Sequence, residues 1–237
     1  MTGVQTCALP ISYPTLTWAN PEDIVYGTAL GVSQLNATAT YNSTNVPGTF
    51  SYTPAAGTIL NPGLGQTLSV TFTPTDTTTF LPISTNVSIN VNLAPLTVAS
   101  GLTANNKVYD GTTLATISSN NVSLSGVVAG DAGKVALSTN GYLATFASKN
   151  VANGITVTVS GLTLTGSAAN NYTLTQPSLT ANITAKPLTV TGLSVPASKV
   201  YDDTTATAAP GGTASLLTAE AAAFGTGADG NLILGTR

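Results

Sequence analysis

Histidine is absent from the 237-residue chain, and Cys7 is its single cysteine. These shortages exclude a Ser-His-Asp or Cys-His nucleophile, a histidine-ligated zinc ion and a disulfide framework. Charged residues make up 6% of the chain, with 6 Lys or Arg against 9 Asp or Glu, so there is no clustered basic surface for nucleic acid. No apolar run reaches the length of about 18 residues needed to cross a membrane, and we expect no membrane span in this stretch.

Threonine is abundant, with 43 residues, and glycine and proline contribute 23 and 13 more. This composition disfavours helices and favours short strands joined by turns, while 42% hydrophobic residues suffice for a core. Apolar and hydroxyl side chains alternate along 67–73, where Leu68, Val70 and Phe72 share one face. The same alternation recurs in 87–93, 155–159 and 172–175. The pattern predicts an all-β fold of tandem immunoglobulin-like antiparallel β-sandwich modules.

A repeat sets the module length. The segment Lys107-Val108-Tyr109-Asp110 recurs as Lys199-Val200-Tyr201-Asp202, and 199 − 107 = 92. We therefore predict a module at 13–94, a second at 95–186 and a partial copy of the second at 187–237. The partial copy spans just over half a module, and we expect it to be truncated and to fold poorly alone.

The first eleven residues, MTGVQTCALPI, show neither strand alternation nor a helical stripe. They resemble the translation of a common sequencing adapter, which predicts that 1–12 is an artefact at the edge of a metagenomic fragment. The alternative is a native N-terminal coil. If the adapter interpretation holds, Cys7 is not part of the natural protein and the absence of a signal peptide carries no information.

Two sets of motifs carry a family resemblance. In the first module the opening Tyr26-Gly27-Thr28 is followed by turn-rich and alternating segments at 46–50, 52–58 and 70–76. This order resembles the YGX-type MBG domain. In the second module Lys107, Val108, Tyr109, Asp110 and Gly111 open a series that continues at 126–131, 149–151, 157–162 and 170–174. That series resembles the YDG domain.

The resemblance implies immunoglobulin-like tandem modules of large secreted bacterial surface proteins, including hemagglutinin-like adhesins. It provides no catalytic, cofactor-binding or metal-binding residue to transfer, so the motif residues are expected to be structural. The partial copy departs from the pattern, with Asp203 in the place of Gly111 and an alanine-rich stretch after Leu217.

Few residues offer chemistry. Asp110 and Asp131 would have to meet to act as a glycosidase pair, and the alternative is that each accepts backbone hydrogen bonds in a turn. Tyr109 and Tyr201 are either ligand-stacking residues or rings buried at a sandwich edge with the hydroxyl on a backbone acceptor. A pair between Lys107 and Asp110, if exposed, would contribute only about 0 to 1 kcal/mol.

Trp18 marks either a sugar-stacking patch or, as we prefer, part of the core. Calcium would need several carboxylates together, whereas the adjacent acidic pairs are limited to Glu22-Asp23 and Asp202-Asp203. The sequence therefore predicts no cofactor and no metal.

These observations predict a non-enzymatic stalk segment of a secreted or cell-surface bacterial adhesin. Its partners would be neighbouring modules of the same chain, with host or matrix glycans or proteins bound by domains elsewhere. The alternative is a glycan-binding module of an adhesin or a carbohydrate-active enzyme, which would need an exposed aromatic platform although aromatic residues are 6% of the chain.

Overall fold

The computed structural model describes residues 11–192 together with Tyr201, Asp203, Ser215 and Leu216. Almost all regular structure is β, so the predicted all-β sandwich class is confirmed. The strands in chain order are β1 (Thr15–Thr17), β2 (Ile24–Val25), β3 (Thr38–Tyr41), β4 (Thr44–Asn45), β5 (Gly48–Thr53), β6 (Gly63–Pro74), β7 (Ile83–Asn92), β8 (Ala94–Ala104), β9 (Lys107–Val108), β10 (Leu114–Ala115), β11 (Ile117–Ser125), β12 (Ala136–Ser138), β13 (Leu143–Phe146), β14 (Ala152–Ser160), β15 (Thr163–Thr165), β16 (Tyr172–Leu174), β17 (Ser178–Thr184), β18 (Val190–Thr191) and β19 (Ser215–Leu216). Two short 3-10 helices are η1 (Ala129–Asp131) and η2 (Ala169–Asn171).

The chain divides into two compact units that differ from the modules predicted by the repeat. The first unit groups Met1–Leu96 with Ser125–Ala136 and Leu164–Thr175, and the second groups Thr97–Leu124, Leu137–Thr163 and Gln176–Arg237. The modules are defined by sequence similarity, whereas the units are defined by contact. Two segments of the predicted second module thus belong to the first compact unit.

In the first unit, a four-stranded sheet in the order β2-β7-β6-β5 accompanies a three-stranded sheet in the order β1-β3-β4. Strands β5, β6 and β7 pair antiparallel, while the short β2 pairs parallel with the end of β7. Alternation buries one face of β6, where Leu68, Val70 and Phe72 are at most 1% exposed. Phe72 forms a core cluster with Ala39 of β3, so the two sheets pack face to face as a sandwich.

The later segments of the first unit add one more pairing. Strand β16 pairs parallel with the start of β8, with Tyr172 opposite Ala94 and Leu174 opposite Leu96. This pairing fixes Tyr172 at the beginning of β16, directly after η2.

The second unit has a five-stranded sheet in the order β10-β13-β14-β17-β9. The strands pair antiparallel except for β9, which runs parallel to β17. Alternation along β14 buries Val157 and Val159, and Phe146 of β13 and Ile183 of β17 are buried as well, all at most 2% exposed. The predicted alternation at 155–159 is therefore confirmed.

Only short pieces of the predicted partial copy lie within the described residues. Strands β18 and β19 pair antiparallel, with Val190 opposite Leu216. Lys199, Val200 and Asp202 lie outside the described residues, as does nearly all of the adapter-like segment. Within the described part of the chain, no helix has the length and apolar character needed to cross a membrane.

Candidate functional site

The main polar cluster of the first unit begins at Tyr26, directly after β2. The parallel pairing of β2 with β7 continues for one residue, because the Tyr26 N–H donates to the Asn92 carbonyl at 2.9 Å. The backbone then turns through Gly27, whose φ of +95° lies in a region that favours glycine. This turn fixes the direction in which the Tyr26 side chain leaves the sheet.

Asp131 and Tyr172 complete the cluster, which we call the tyrosine latch (Tyr26, Asp131 and Tyr172). The hydroxyl groups of Tyr26 and Tyr172 each donate to Asp131 Oδ2 at 2.8 Å. The two rings pack edge to face, with centroids 5.5 Å apart, and the Val128 N–H donates to the Tyr172 hydroxyl at 3.0 Å. Asp131 is 7% exposed and Tyr172 5%, so the carboxylate is buried with its charge compensated by two hydroxyl donors.

The electrostatics of the latch keep each group in one protonation state. The hydrogen bonds from Tyr172 and then Tyr26 hold the pKa of Asp131 below its usual value. Burial, reinforced by the Asp131 carboxylate, raises the pKa of Tyr172 to about 12. The pKa of Tyr26 is also raised, chiefly by its hydrogen bond to Asp131. At neutral pH the carboxylate stays ionised and both phenols stay protonated, which suits a structural lock better than proton transfer.

The backbone around the latch is fitted closely. A Cβ added to Gly27 would lie 2.6 Å from Cγ2 of Val128, well inside van der Waals contact. Gly27 therefore provides the conformation of its turn and also the space that Val128 fills. Tyr26 and Gly27 thus both contact residues of 126–131. Their structural role stays a prediction.

A second polar cluster surrounds Lys107 in the second unit. Its Nζ lies 2.8 to 3.0 Å from Asp110 Oδ1, the Thr112 carbonyl and hydroxyl, and the Leu114 carbonyl. The ammonium also lies 5.5 Å from the centroid of the Phe146 ring. Only 17% of the Lys107 side chain is exposed. The pair with Asp110 forms, and the Asp110 side chain is 52% exposed. Backbone carbonyl groups of the motif turn also surround the ammonium, which the sequence did not predict.

Asp110 has the turn role that the sequence predicts. Its Oδ1 accepts from the Thr112 N–H and hydroxyl, both at 2.9 Å, and Gly111 takes a φ of +77°. Burial raises the pKa of Asp110, but the hydrogen bonds from Lys107 and Thr112 outweigh it and the net pKa is lowered. Val108 pairs with Thr184 and leaves half of its side chain exposed.

Three sequence expectations require correction. Asp131 was expected to accept backbone hydrogen bonds in a turn, yet its carboxylate accepts from two tyrosine hydroxyls brought to it by the fold. Tyr109 buries its ring, but among the described residues its hydroxyl has no hydrogen-bond partner, so the expected backbone acceptor is wrong. Tyr201 is 87% exposed and donates to Asp203 Oδ1 at 2.8 Å, so the expectation of a buried ring is wrong there too.

The remaining candidates have ordinary structural environments. Trp18 packs against a core cluster of the first unit and donates from Nε1 to the Gln34 carbonyl at 3.0 Å, in agreement with the preferred core interpretation. Asp110 and Asp131 belong to different units and have entirely different partners. In the described part of the chain, no three His, Cys, Asp or Glu residues cluster as metal ligands would.

The fold defines a class of protein, the all-β sandwich. Residues 92–181 match the YDG domain family, and a YDG domain is therefore found there. No curated protein shows significant similarity to the chain. The matched segment contains Lys107, Asp110, Asp131 and Tyr172.

Sequence reasoning did not find the latch. Tyr26 lies 105 residues before Asp131, and Tyr172 lies 41 after it. Nothing in local periodicity brings such distant positions together. One feature of the sequence does point to these three residues, because each of them falls in a motif segment that carries one of the two family resemblances.

Proposed function

We propose that the chain is a non-catalytic spacer segment of a secreted or cell-surface bacterial adhesin, which holds a binding domain away from the cell. The observation that carries the proposal is the tyrosine latch. Across it, Tyr26 of the predicted first module donates one 2.8 Å hydrogen bond to the buried Asp131 carboxylate of the YDG domain, and Tyr172 of the YDG domain holds that carboxylate with a second 2.8 Å bond. A spacer needs such a joint, because modules tied only by a linker pivot freely.

The identity of the first module belongs to the same proposal. We take residues 13–94 as an MBG module of the YGX type and the first eleven residues as a translated adapter. Support comes from the motif order beginning at Tyr26-Gly27-Thr28 and from the use of that motif as one half of the latch. In this interpretation the motif exists to contact the module that follows.

A distance measurement tests the spacer role. Dyes are attached at Ala56→Cys and Ser167→Cys, two exposed positions of the first unit, the former in the predicted first module and the latter in the YDG domain, in a Cys7→Ser background. We expect a single narrow distance distribution by single-molecule energy transfer. Tyr26→Phe should broaden it, and Tyr13→Phe, at a tyrosine that is 63% exposed, should not. A broad distribution in the parent chain would contradict the stiff joint.

The non-catalytic part of the proposal has its own test. A panel of glycoside, ester and peptide substrates should show no turnover above a buffer blank. Turnover that is lost in Asp110→Asn or Asp131→Asn would make the chain an enzyme and would overturn this part.

One observation favours glycan binding as a second candidate function. A pocket of about 330 Å³ in the first unit is lined by residues that include Tyr41, Asn42, Asn45 and Phe80. Tyr41 is 38% exposed and packs edge to face on Phe80, and an exposed aromatic beside amide side chains is a surface that a sugar ring can stack on. A glycan array would show binding that Tyr41→Ala abolishes and Tyr13→Ala preserves. If no glycan on the array binds, glycan binding is rejected and the spacer role remains as the proposed function.

A further inference from the structure

Tyr26 and Tyr109 occupy the same place in their respective sheets. Tyr26 follows β2, which pairs parallel with the end of β7, and its N–H donates to the Asn92 carbonyl at 2.9 Å. Tyr109 follows β9, which pairs parallel with the end of β17, and its N–H donates to the Thr184 carbonyl at 2.8 Å. The two tyrosines are therefore structural equivalents, although they lie in modules that resemble different families.

Their hydroxyl groups differ. The Tyr26 hydroxyl donates to Asp131 as part of the latch. The Tyr109 ring is 7% exposed, and its buried hydroxyl has no hydrogen-bond partner among the described residues. A buried hydroxyl without a partner is destabilising, so such a group usually marks a missing contact.

The sequence register identifies what is missing. Asp131 lies 39 positions after Asn92, the backbone acceptor of Tyr26, since 131 − 92 = 39. Thr184, the equivalent acceptor of Tyr109, lies one repeat offset after Asn92, since 184 − 92 = 92. The position equivalent to Asp131 is therefore 131 + 92 = 223. Position 223 is Ala223, within the alanine-rich stretch that replaces the motif of 126–131. A methyl group cannot accept a hydrogen bond, whereas the carboxylate at the equivalent position can.

We propose that Tyr109 is a docking residue for a following YDG module, whose aspartate equivalent to Asp131 would accept its hydroxyl in a second latch. The partner chemistry is thus a buried carboxylate at the end of a Gly-Val-Val-Ala-Gly-Asp motif. This inference rests on the proposed function, because it takes the chain as one stretch of a serial array. It adds that the same tyrosine position of each module bonds the aspartate of the module that follows, whichever family the upstream module resembles.

Restoring the carboxylate in the full chain is the first test. Ala223→Asp should raise the midpoint of thermal unfolding when Tyr109 is present and should lose that gain in the Tyr109→Phe background. Ala222→Asp, which adds the same charge one position away, is the matched control and should show no dependence on Tyr109. In the unaltered chain, Tyr109→Phe should leave the midpoint unchanged or raise it, because it removes a hydroxyl without a partner.

A chain with a second copy of the YDG domain provides the second test, which does not depend on how residues 187–237 place the new carboxylate. A second copy of 95–186 replaces 187–237, so that a complete motif follows Tyr109. Tyr109→Phe should now lower the midpoint by several degrees, and it should add nothing once the aspartate of the added copy is changed to asparagine. Absence of coupling to Tyr109 in both chains would overturn the proposal.

The outcome is separable from that of the proposed function. Tyr26→Phe is measured in the same chains, and its effect on the unfolding midpoint reports only on the latch between the first module and the YDG domain. Coupling of Tyr26 to Asp131 without any coupling of Tyr109 would reject the docking role of Tyr109 and leave the spacer role unaffected. If Tyr26→Phe shows no coupling to Asp131, the spacer role is rejected.

Discussion

At the residue scale, the latch depends on one ionised oxygen shared by two phenols. Asp131 Oδ2 accepts both hydroxyl groups at 2.8 Å, and the Tyr172 oxygen in turn accepts the Val128 N–H. Each bond orients the next, so the three side chains act as one network. A carboxylate that is buried and bonded in this way favours the folded state at any pH at which it is ionised and the phenols are protonated.

The raised pKa of Tyr172 predicts an alkaline limit to stability. Because its folded pKa is about 12, above the ordinary tyrosine pKa of 10.0, its contribution to stability is complete below pH 10 and is lost as pH rises through 12. The midpoint of chemical unfolding should therefore fall over this range in the parent chain. Tyr172→Phe should start less stable at pH 8 and show a flatter fall. An equally steep fall in the variant would assign the limit to another group.

At the element scale, the turn after β2 and the turn after β9 have similar motifs but make different contacts. Gly27 makes room for Val128, whereas Asp110 and Gly111 build a turn that surrounds the Lys107 ammonium. The first turn thus serves the contact with the YDG segment 126–131, and the second serves its own sheet. Each function can be tested by a single substitution.

Gly27→Ala should destabilise the chain more than Gly57→Ala. Both glycines have a positive φ, +95° and +84°, so both substitutions introduce backbone strain of about 1 to 2 kcal/mol. A Cβ at Gly27 would also meet Val128, whereas one at Gly57 would meet nothing within 4 Å. The difference between the two losses, measured by urea unfolding, isolates that contact. Equal losses would show that Val128 moves aside freely.

Lys107→Met should lower stability by about 1 to 3 kcal/mol, because it leaves the carbonyls of Thr112 and Leu114 without the ammonium donor and removes one of the donors to the Asp110 carboxylate. Lys149→Met is the control, since the Lys149 ammonium has no hydrogen-bond or ion-pair partner in the part of the chain that the structure describes. Urea unfolding of both variants measures the difference. A loss for Lys107→Met no larger than the control would show that Lys107 and Asp110 form a weak surface pair.

Much of the fold could be predicted from the sequence, but little of the site. The alternation of Leu68, Val70 and Phe72 predicts a strand with one buried face because side chains in a strand alternate strictly. The turn at Asp110 follows from the local preferences of Asp and Gly. The latch depends on pairings across more than a hundred residues, and the arrangement around Lys107 depends on how one turn closes. Neither follows from local preference or periodicity.

At the scale of the whole molecule, the predicted modules and the compact units divide the chain differently. Segments 125–136 and 164–175 lie within the YDG match yet group with the first unit, and both carry latch residues. A module defined by the sequence repeat is therefore not the same as a compact unit of the folded protein. An array built this way should gain stiffness at each joint without a longer linker or a disulfide bond.

The most direct test of the latch is a double-mutant cycle between Tyr26→Phe and Asp131→Asn, in which chemical unfolding of the full chain at pH 7 measures the free energy of unfolding. Each single change should lower the unfolding free energy, and the double variant should lose clearly less than the sum of the two. Tyr13→Phe combined with Asp131→Asn should be additive. Additive losses for Tyr26 and Asp131 would contradict the latch and, with it, the proposed spacer role.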